Sequence, residues 1–504
     1  MRVTGLVLCV ALVLGLSLAR GANVTEHFSG ASGGYWGTAT SWSGGLAPNN
    51  GANNFFATIN GLASNVNVVL RDNNFTVSAL QVDAGDSLTW GVGAGNARSL
   101  TIAGSGFPNS LLNNGTITVN DSTASAANQL ALLSIASGSF QNNGTIQLNN
   151  TATPVGSATA ATRLLLGTTS ATMNAVNNGQ IILNHTAAGA NTLTAIRLGG
   201  NVNLTGSGQV ILGSNAKNQI RVVTGLEATH PKLTIGGGQT ILGGGTIGAG
   251  NLDFAIGTGG SLNVNSGTGM AINTFDPWTN AGTVSVGSTR TLNSAQDYQQ
   301  TAGSTQVATG GVFLASDIFL DGGISTINGT MGAATVTIGG SGAINGIGAI
   351  TSDVTNGGTL TPGNGMGTMS INGNYIQTGA GDFSVELGGM SPGQWGDLGV
   401  SEDAALGGTL DVRFAHGFLP AFGSSWVIMT SDGGLDGNGG YGITGAFSRV
   451  NGPHGLGVYY LDTDANGYMD QVELIYSPEP GTWTLLLGSL TLMVFMVRRS
   501  RRAV

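Results

Sequence analysis

Short runs in which Ile, Leu or Val alternate with Thr, Asn or Gln recur along the chain, most of them directly behind an Asn-Gly pair. "LLNNGTITVN" (111–120), "FQNNGTIQLNN" (140–150), "AVNNGQIILN" (175–184), "WTNAGTVSV" (278–286) and "VTNGGTLTPG" (354–363) share this form, and the first three follow one another at spacings of 29 and 35 residues. A period of two predicts short strands with one buried face. Asn and Gly tolerate the positive φ of tight turns, so each strand is predicted to start from a turn. One such unit cannot cover its own apolar face, and neighbouring units must stack. "LTIGGGQTILGGGTIGAG" (233–250) continues the pattern with Ile and Leu between glycines. The expected fold is all-β: a right-handed parallel β-helix (solenoid) body over residues 23–390, followed by a C-terminal β-rich cap at 391–476. An array of hairpin-based sandwiches is the alternative, because Asn-Gly also favours hairpins.

Both ends break this pattern. Arg2 and the apolar run of residues 5–18, followed by Ser17-Leu18-Ala19, read as a signal peptide within residues 1–22. An uncleaved anchor is the alternative, although the run is short for a span. The single cysteine, Cys9, lies in this run, so the mature body has no disulfide and no Cys-based metal site. At the other end, residues 481–497 are apolar and reach about 25 Å as a helix, against roughly 30 Å of bilayer hydrocarbon. Arg498, Arg499, Arg501 and Arg502 follow directly. A single C-terminal transmembrane helix is expected, its arginines held on the cytoplasmic side and everything before it outside. Pro478 and Pro480 cannot continue a helix upstream, which makes residues 477–480 an extended segment open to a protease.

Composition agrees with a strand- and turn-rich export product. Only 8% of the 504 residues are charged, 87 are Gly and 41% are apolar; the chain can bury surface but has few groups for helix faces. Loss of Arg2 and the four C-terminal arginines leaves 11 basic residues of the original 16 against 25 acids, a net charge of −14. Nucleic acid is excluded as a partner, and acidic polysaccharide is a poor one electrostatically.

Pro478-Glu479-Pro480, the apolar segment and the Arg-rich end, residues 477–504 together, resemble the PEP-CTERM sorting signal of Gram-negative bacteria, with Ser477 where that signal usually has Val. The resemblance implies processing by an exosortase, transient anchoring in the inner membrane, and a destination in the cell envelope or in an exopolysaccharide and biofilm matrix. Residues 34–57, with Trp36 and Trp42 expected to cap the first coil, look like the opening of exported bacterial β-helices. Residues 358–389 and 396–414 are similar to the last repeats of autotransporter passenger domains. The C-terminus lacks the barrel strands of a true autotransporter.

Candidate chemistry is sparse. Asp253, Asp276 and Asp297 lie 23 and 21 residues apart, close to one coil, and could converge as in β-helix polysaccharide lyases or hydrolases; three unrelated loop aspartates are the alternative. His27, His185, His230, His416 and His454 show no ligand-like spacing. Asn-x-Ser/Thr sites such as Asn114 are accounted for by turns. "DTDANGYMDQVE" (462–473) meets every position of the EF-hand-type calcium loop, with Asp462, Asp464, Asn466, Tyr468, Asp470 and Glu473 as ligands. Strand-like flanks make a polar hairpin turn the competing reading. Calcium, bound weakly in the 10⁻⁴ to 10⁻³ M range, is the one cofactor the sequence suggests. The functional expectation is an exported, non-catalytic structural or matrix protein. An adhesin or glycan-binding surface protein, and a polysaccharide enzyme, are the alternatives. Trp36, Trp42, Trp90, Trp278, Trp395 and Trp426 are too dispersed for a sugar-binding row.

Overall fold

Alternating apolar positions become the inner face of a long parallel stack. The computed structural model describes residues 22–477 and Met493, except 62–64, 72, 91–97, 105–109, 122–128, 155–158, 169–170 and 433–440. Over most of this length each strand pairs in parallel with the third strand before it and the third after it. Thr116–Asp121 lies between Ser87–Trp90 and Thr145–Asn150. Gln129–Ile135 lies between Arg98–Ile102 and Ala160–Leu166. Phe140–Asn142 lies between Leu111–Asn113 and Met173–Asn177. Three parallel ladders therefore run side by side, as the coils of a β-helix require, and the sheet they form does not close on itself. Between Asn23 and Tyr476 the described residues are all-β apart from short 3-10 turns such as Glu227–Thr229.

Register keeps like residues in columns. Ile117 stacks on Ile146, Ile146 on Ile181, and Ile181 on Val210. All four side chains are fully buried, each contributing about 1.5–3 kcal/mol of apolar burial. Intervening Thr, Gln and Asn residues point outward, as the period of two demands.

Asn-Gly pairs form corners between ladders, not hairpins. They also differ from the expectation in their reason for glycine. Gly115, Gly144 and Gly179 do not have positive φ. A Cβ on Gly144 would instead run into the Gly115 carbonyl oxygen, and one on Gly179 into the Gly144 carbonyl oxygen. Close approach of successive coils excludes a side chain at this corner.

Each end of the stack is closed differently. At the start, Trp36 and Trp42 are buried with ring centroids 5.0 Å apart, and the Trp42 Nε1 donates to the Trp36 carbonyl at 2.8 Å. At the far end, parallel stacking continues past residue 391 as far as Arg449–Asn451. Gln471–Tyr476 then pairs antiparallel with both Ser425–Ser431 and Leu456–Leu461. An antiparallel layer interrupts the template that an open parallel coil presents to other chains.

No helix among the described residues is long and apolar enough to cross a membrane. The signal-peptide reading of residues 1–22 and the sorting segment at 477–504, with Pro478, Glu479, Pro480 and the four arginines, fall almost wholly outside the described residues.

Candidate functional site

The acidic turn joins Leu456–Leu461 to Gln471–Tyr476, immediately before the chain reaches Ser477. Its carboxylates face the turn's own backbone. Asp462 accepts from the Gly467 N–H at 2.9 Å and the Asn466 N–H at 3.2 Å. Asp464 accepts from the Asn466 N–H at 3.2 Å and its side-chain amide at 3.0 Å. Asn466 Oδ1 takes the Tyr468 N–H at 2.8 Å, and Asp470 takes the Thr463 hydroxyl at 2.7 Å. Gly467, at φ 93°, has open space around its Cβ position, so here left-handed backbone does explain the glycine. The Gly467 N–H bond is the main reason the Asp462 carboxyl sits below its usual range.

Asp462, Asp464 and Asp470 bring one oxygen each within 4.8 Å of one another. Glu473 is not in this group; it lies in the last strand, across from Val427 and Tyr459. Tyr468 is exposed and meets Tyr441 edge-on at 6.0 Å. Three carboxylates suit a hard cation, but calcium takes six to eight oxygens and these already accept N–H and O–H donors. The residues present fit calcium only in part. Among the described residues this is the only group of three or more His, Cys, Asp or Glu side chains placed to hold a metal.

The aspartates at coil spacing do share a column, in part. Trp278 pairs with Tyr298, which puts Pro277 and not Asp276 level with Asp297. Asp276 is exposed in the preceding loop. From Asp297 onward the column carries backbone bonds from coil to coil. Asp297 Oδ1 accepts the Asp317 N–H at 3.2 Å, and Asp317 Oδ1 the Thr335 N–H at 2.9 Å. Asp353 accepts the Asn374 N–H at 2.8 Å, Asn374 the Asp403 N–H at 3.2 Å, and Asp403 the Gly442 N–H at 2.9 Å. These side chains act as fasteners between coils, each satisfying a donor at the start of the next strand.

A second column was not visible in the sequence. The first Asn of each Asn-Asn-Gly points into the core. Asn113 Nδ2 donates to Asn142 Oδ1 at 2.7 Å, Asn142 to Asn177 Oδ1 at 2.7 Å, and Asn177 to Gln239 Oε1 at 3.2 Å, all fully buried. Further on, Asn280 donates to the Tyr298 hydroxyl at 2.9 Å, which reaches Gln300 at 3.2 Å. Asn356, Tyr375 and Gln377 repeat this arrangement at 3.1 and 2.8 Å. Burial raises both tyrosine pKa values well above the ordinary range. The signal lay in the doubling of Asn before Gly: a turn needs one, and the other faces inward.

The histidines stay apart. His185 is buried, with Thr194 and Thr192 hydroxyls each 3.1 Å from a ring nitrogen, and burial, then Lys217, lowers its pKa. His230 stacks on Phe275 at 3.4 Å. Trp36, Trp42, Trp90, Trp278 and Trp426 are buried, and Trp395 donates to the Val427 carbonyl at 2.8 Å. None of the five buried rings offers a platform to a sugar. No protein-family model matches the chain, and no curated protein sequence matches it.

Proposed function

We propose that the chain is an exported, non-catalytic structural protein of the cell envelope or extracellular matrix. Its body is a right-handed solenoid. Its last 28 residues, 477–504, are a PEP-CTERM-type address, with a transmembrane helix that holds the protein for an exosortase. An exopolysaccharide matrix is the setting this reading favours.

One observation carries it. The polar side chains repeated at coil spacing are engaged in fastening one coil to the next: Asn113 to Asn142 in the core, Asp297 to Asp317 at the edge. An enzyme of this fold needs carboxylates that converge on a groove and remain free to move protons. Here Asp253, Asp276 and Asp297 do not converge, and Asp297 accepts a backbone N–H. The acidic turn at 462–470, held by its own bonds, supports a structural role at the point where the body meets the extended segment.

Deleting residues 478–504, or changing Arg498, Arg499, Arg501 and Arg502 to Gln, tests the address. Both variants should lose membrane retention and processing while the body keeps its strand-type circular dichroism. Unchanged localisation in both would overturn the sorting reading.

A further inference from the structure

Three arginines gather on the outside of one ladder, in a chain that has only 16 basic residues. Ala160–Leu166, Thr192–Leu198 and Asn218–Val222 are successive strands there. Arg197 is paired in register with Arg221 on one side and Leu165 on the other, while Arg163 sits two residues along, level with Ala195. Arg197 and Arg221 thus share a column one strand spacing of about 4.8 Å apart, and Arg163 stands on the next strand, two residues to the side. Alternation sends Leu164, Ile196 and Ile220 inward, so the arginines face out. Arg197 is nevertheless covered, at only 6% exposed, and Arg163 and Arg221 are part-buried.

Arg163 and Arg197 line a groove of about 320 Å³ with Leu132, Leu165, Val223 and Thr224. Their charges are poorly answered from within the protein. Arg197 donates to the Val222 carbonyl at 2.7 Å and Arg221 to Gln219 at 3.3 Å; Arg163 makes no hydrogen bond with a described residue. The Nε of all three is buried and unpartnered. None forms an ion pair with a described carboxylate, although the chain has 25 acids to draw on. Among the described acids Glu227 is the one whose field reaches Arg197, and its carboxylate accepts the Gly225 N–H at 2.6 Å. Burial first, then Arg221 and Arg163, brings the Arg197 guanidinium down to about 9. Like charges held together, with buried Nε donors left idle, are destabilising unless an anion joins them.

We infer that this groove binds an oxyanion group, a carboxylate, sulfate or phosphate, carried on a small organic molecule or on a side group of a polymer. Guanidinium forks match the planar or tetrahedral oxygens of such groups with paired N–H donors. Leu132, Leu165 and Val223 receive the apolar flank of the carrier. The volume is at the small end for ligand pockets, which range over roughly 300–1,000 Å³, so one anionic group with its immediate ring or chain fits and a folded partner does not. Overall negative charge opposes polyanions, but at about 8 Å of screening length in physiological salt the groove is governed by Arg163 and Arg197 in its lining and by Arg221 beside them. The inference stands whether or not the chain is a matrix protein.

Isothermal titration of the purified full chain with sodium glucuronate, inorganic phosphate and sulfate, with glucose as the neutral control, tests it. At least one oxyanion should bind saturably at low salt, glucose should not, and Arg163→Gln should weaken binding at least tenfold. Arg163 has no hydrogen bond with a described residue to lose and is repelled by Arg221, so this variant should keep the parent's circular dichroism and melt no lower than the parent. Arg221→Gln is the second variant; Arg221 stands beside Arg197 and outside the lining, so the loss should be measurable and smaller. Preference for glucuronate identifies a carboxylated sugar as the ligand class; preference for phosphate or sulfate identifies the inorganic or esterified ion. Absence of saturable binding by all three oxyanions, equal binding of glucose, or full binding in both variants would overturn the inference.

Discussion

The side chains of Asn113 and Asn142 share a 2.7 Å hydrogen bond that no solvent reaches, and Asn142 passes the same bond on to Asn177. A buried amide group needs a partner: Asn142 has one for its donor and one for its acceptor, whereas the Asn113 Oδ1 has none among the described residues. Replacing Asn142 by Leu removes the acceptor for Asn113 and the donor for Asn177 and for the Gln180 carbonyl. Each buried group left unmet costs about 1–3 kcal/mol. Asn142→Leu should lower the melting temperature, and hydrogen exchange should localise the loss to neighbouring coils, as nearest-neighbour coupling in solenoids requires. An unchanged melting temperature would mean that the ladder contributes nothing to stability.

Two glycines should respond to alanine for different reasons. Gly144→Ala drives a methyl into the Gly115 carbonyl oxygen, so the coils must separate at that corner. Gly467→Ala has open space and faces only left-handed strain, about 1–2 kcal/mol. Denaturant unfolding should show Gly144→Ala as clearly the more damaging. Equal effects would refute the close-approach explanation.

Alkaline pH should destabilise the body. Tyr298 and Tyr375 have folded pKa values raised by burial, while unfolded tyrosine ionises near pH 10. Their contribution is full below about pH 10 and declines as pH rises above it, because only the unfolded chain then releases the proton. Arg197 acts oppositely. Its folded value of about 9 lies below the unfolded one, so above pH 9 its burial becomes less costly. Comparing the pH dependence of unfolding in Tyr298→Phe and the parent isolates the tyrosine: the variant should be weaker at neutral pH, since Asn280 and Gln300 lose a partner, and flatter above pH 10. Parallel profiles would contradict this.

The acidic turn should hold without a cation. Asp462 already accepts two backbone N–H groups, so a chelator should leave the melting temperature unchanged, and Asp462→Ala should loosen the last hairpin in the presence of chelator as well as without it. A fall on chelation, reversed by millimolar calcium, would show that an ion belongs to the turn.

What the sequence disclosed follows from the range over which each signal acts. Strand alternation is local, so Ile117, Ile146 and Ile181 could be read as buried and as belonging to stacked units. The direction of Asn113 at its corner depends on where the coil closes; the doubled Asn before Gly is its one trace in the sequence, and it does not say which of the two turns inward. Coil spacing suggested that Asp253, Asp276 and Asp297 line up; a register offset of one residue left Asp276 out and made Asp297 a fastener. In the turn at 462–473 the motif placed the ligands by number, but the hairpin carried Glu473 into a strand away from the other three. The arginine groove escaped notice because Arg163 and Arg197 occupy different columns; the trace in the sequence was Arg before Leu or Val in three successive outer strands.

Intact-mass analysis of the protein recovered from each cell fraction tests the central claim most directly. The account predicts a mature chain outside the cytoplasm that starts after residue 19 or 21 and ends upstream of the apolar segment 481–497, with its solenoid body whole. A full-length chain from Met1 to Val504 found in the cytoplasm would contradict it.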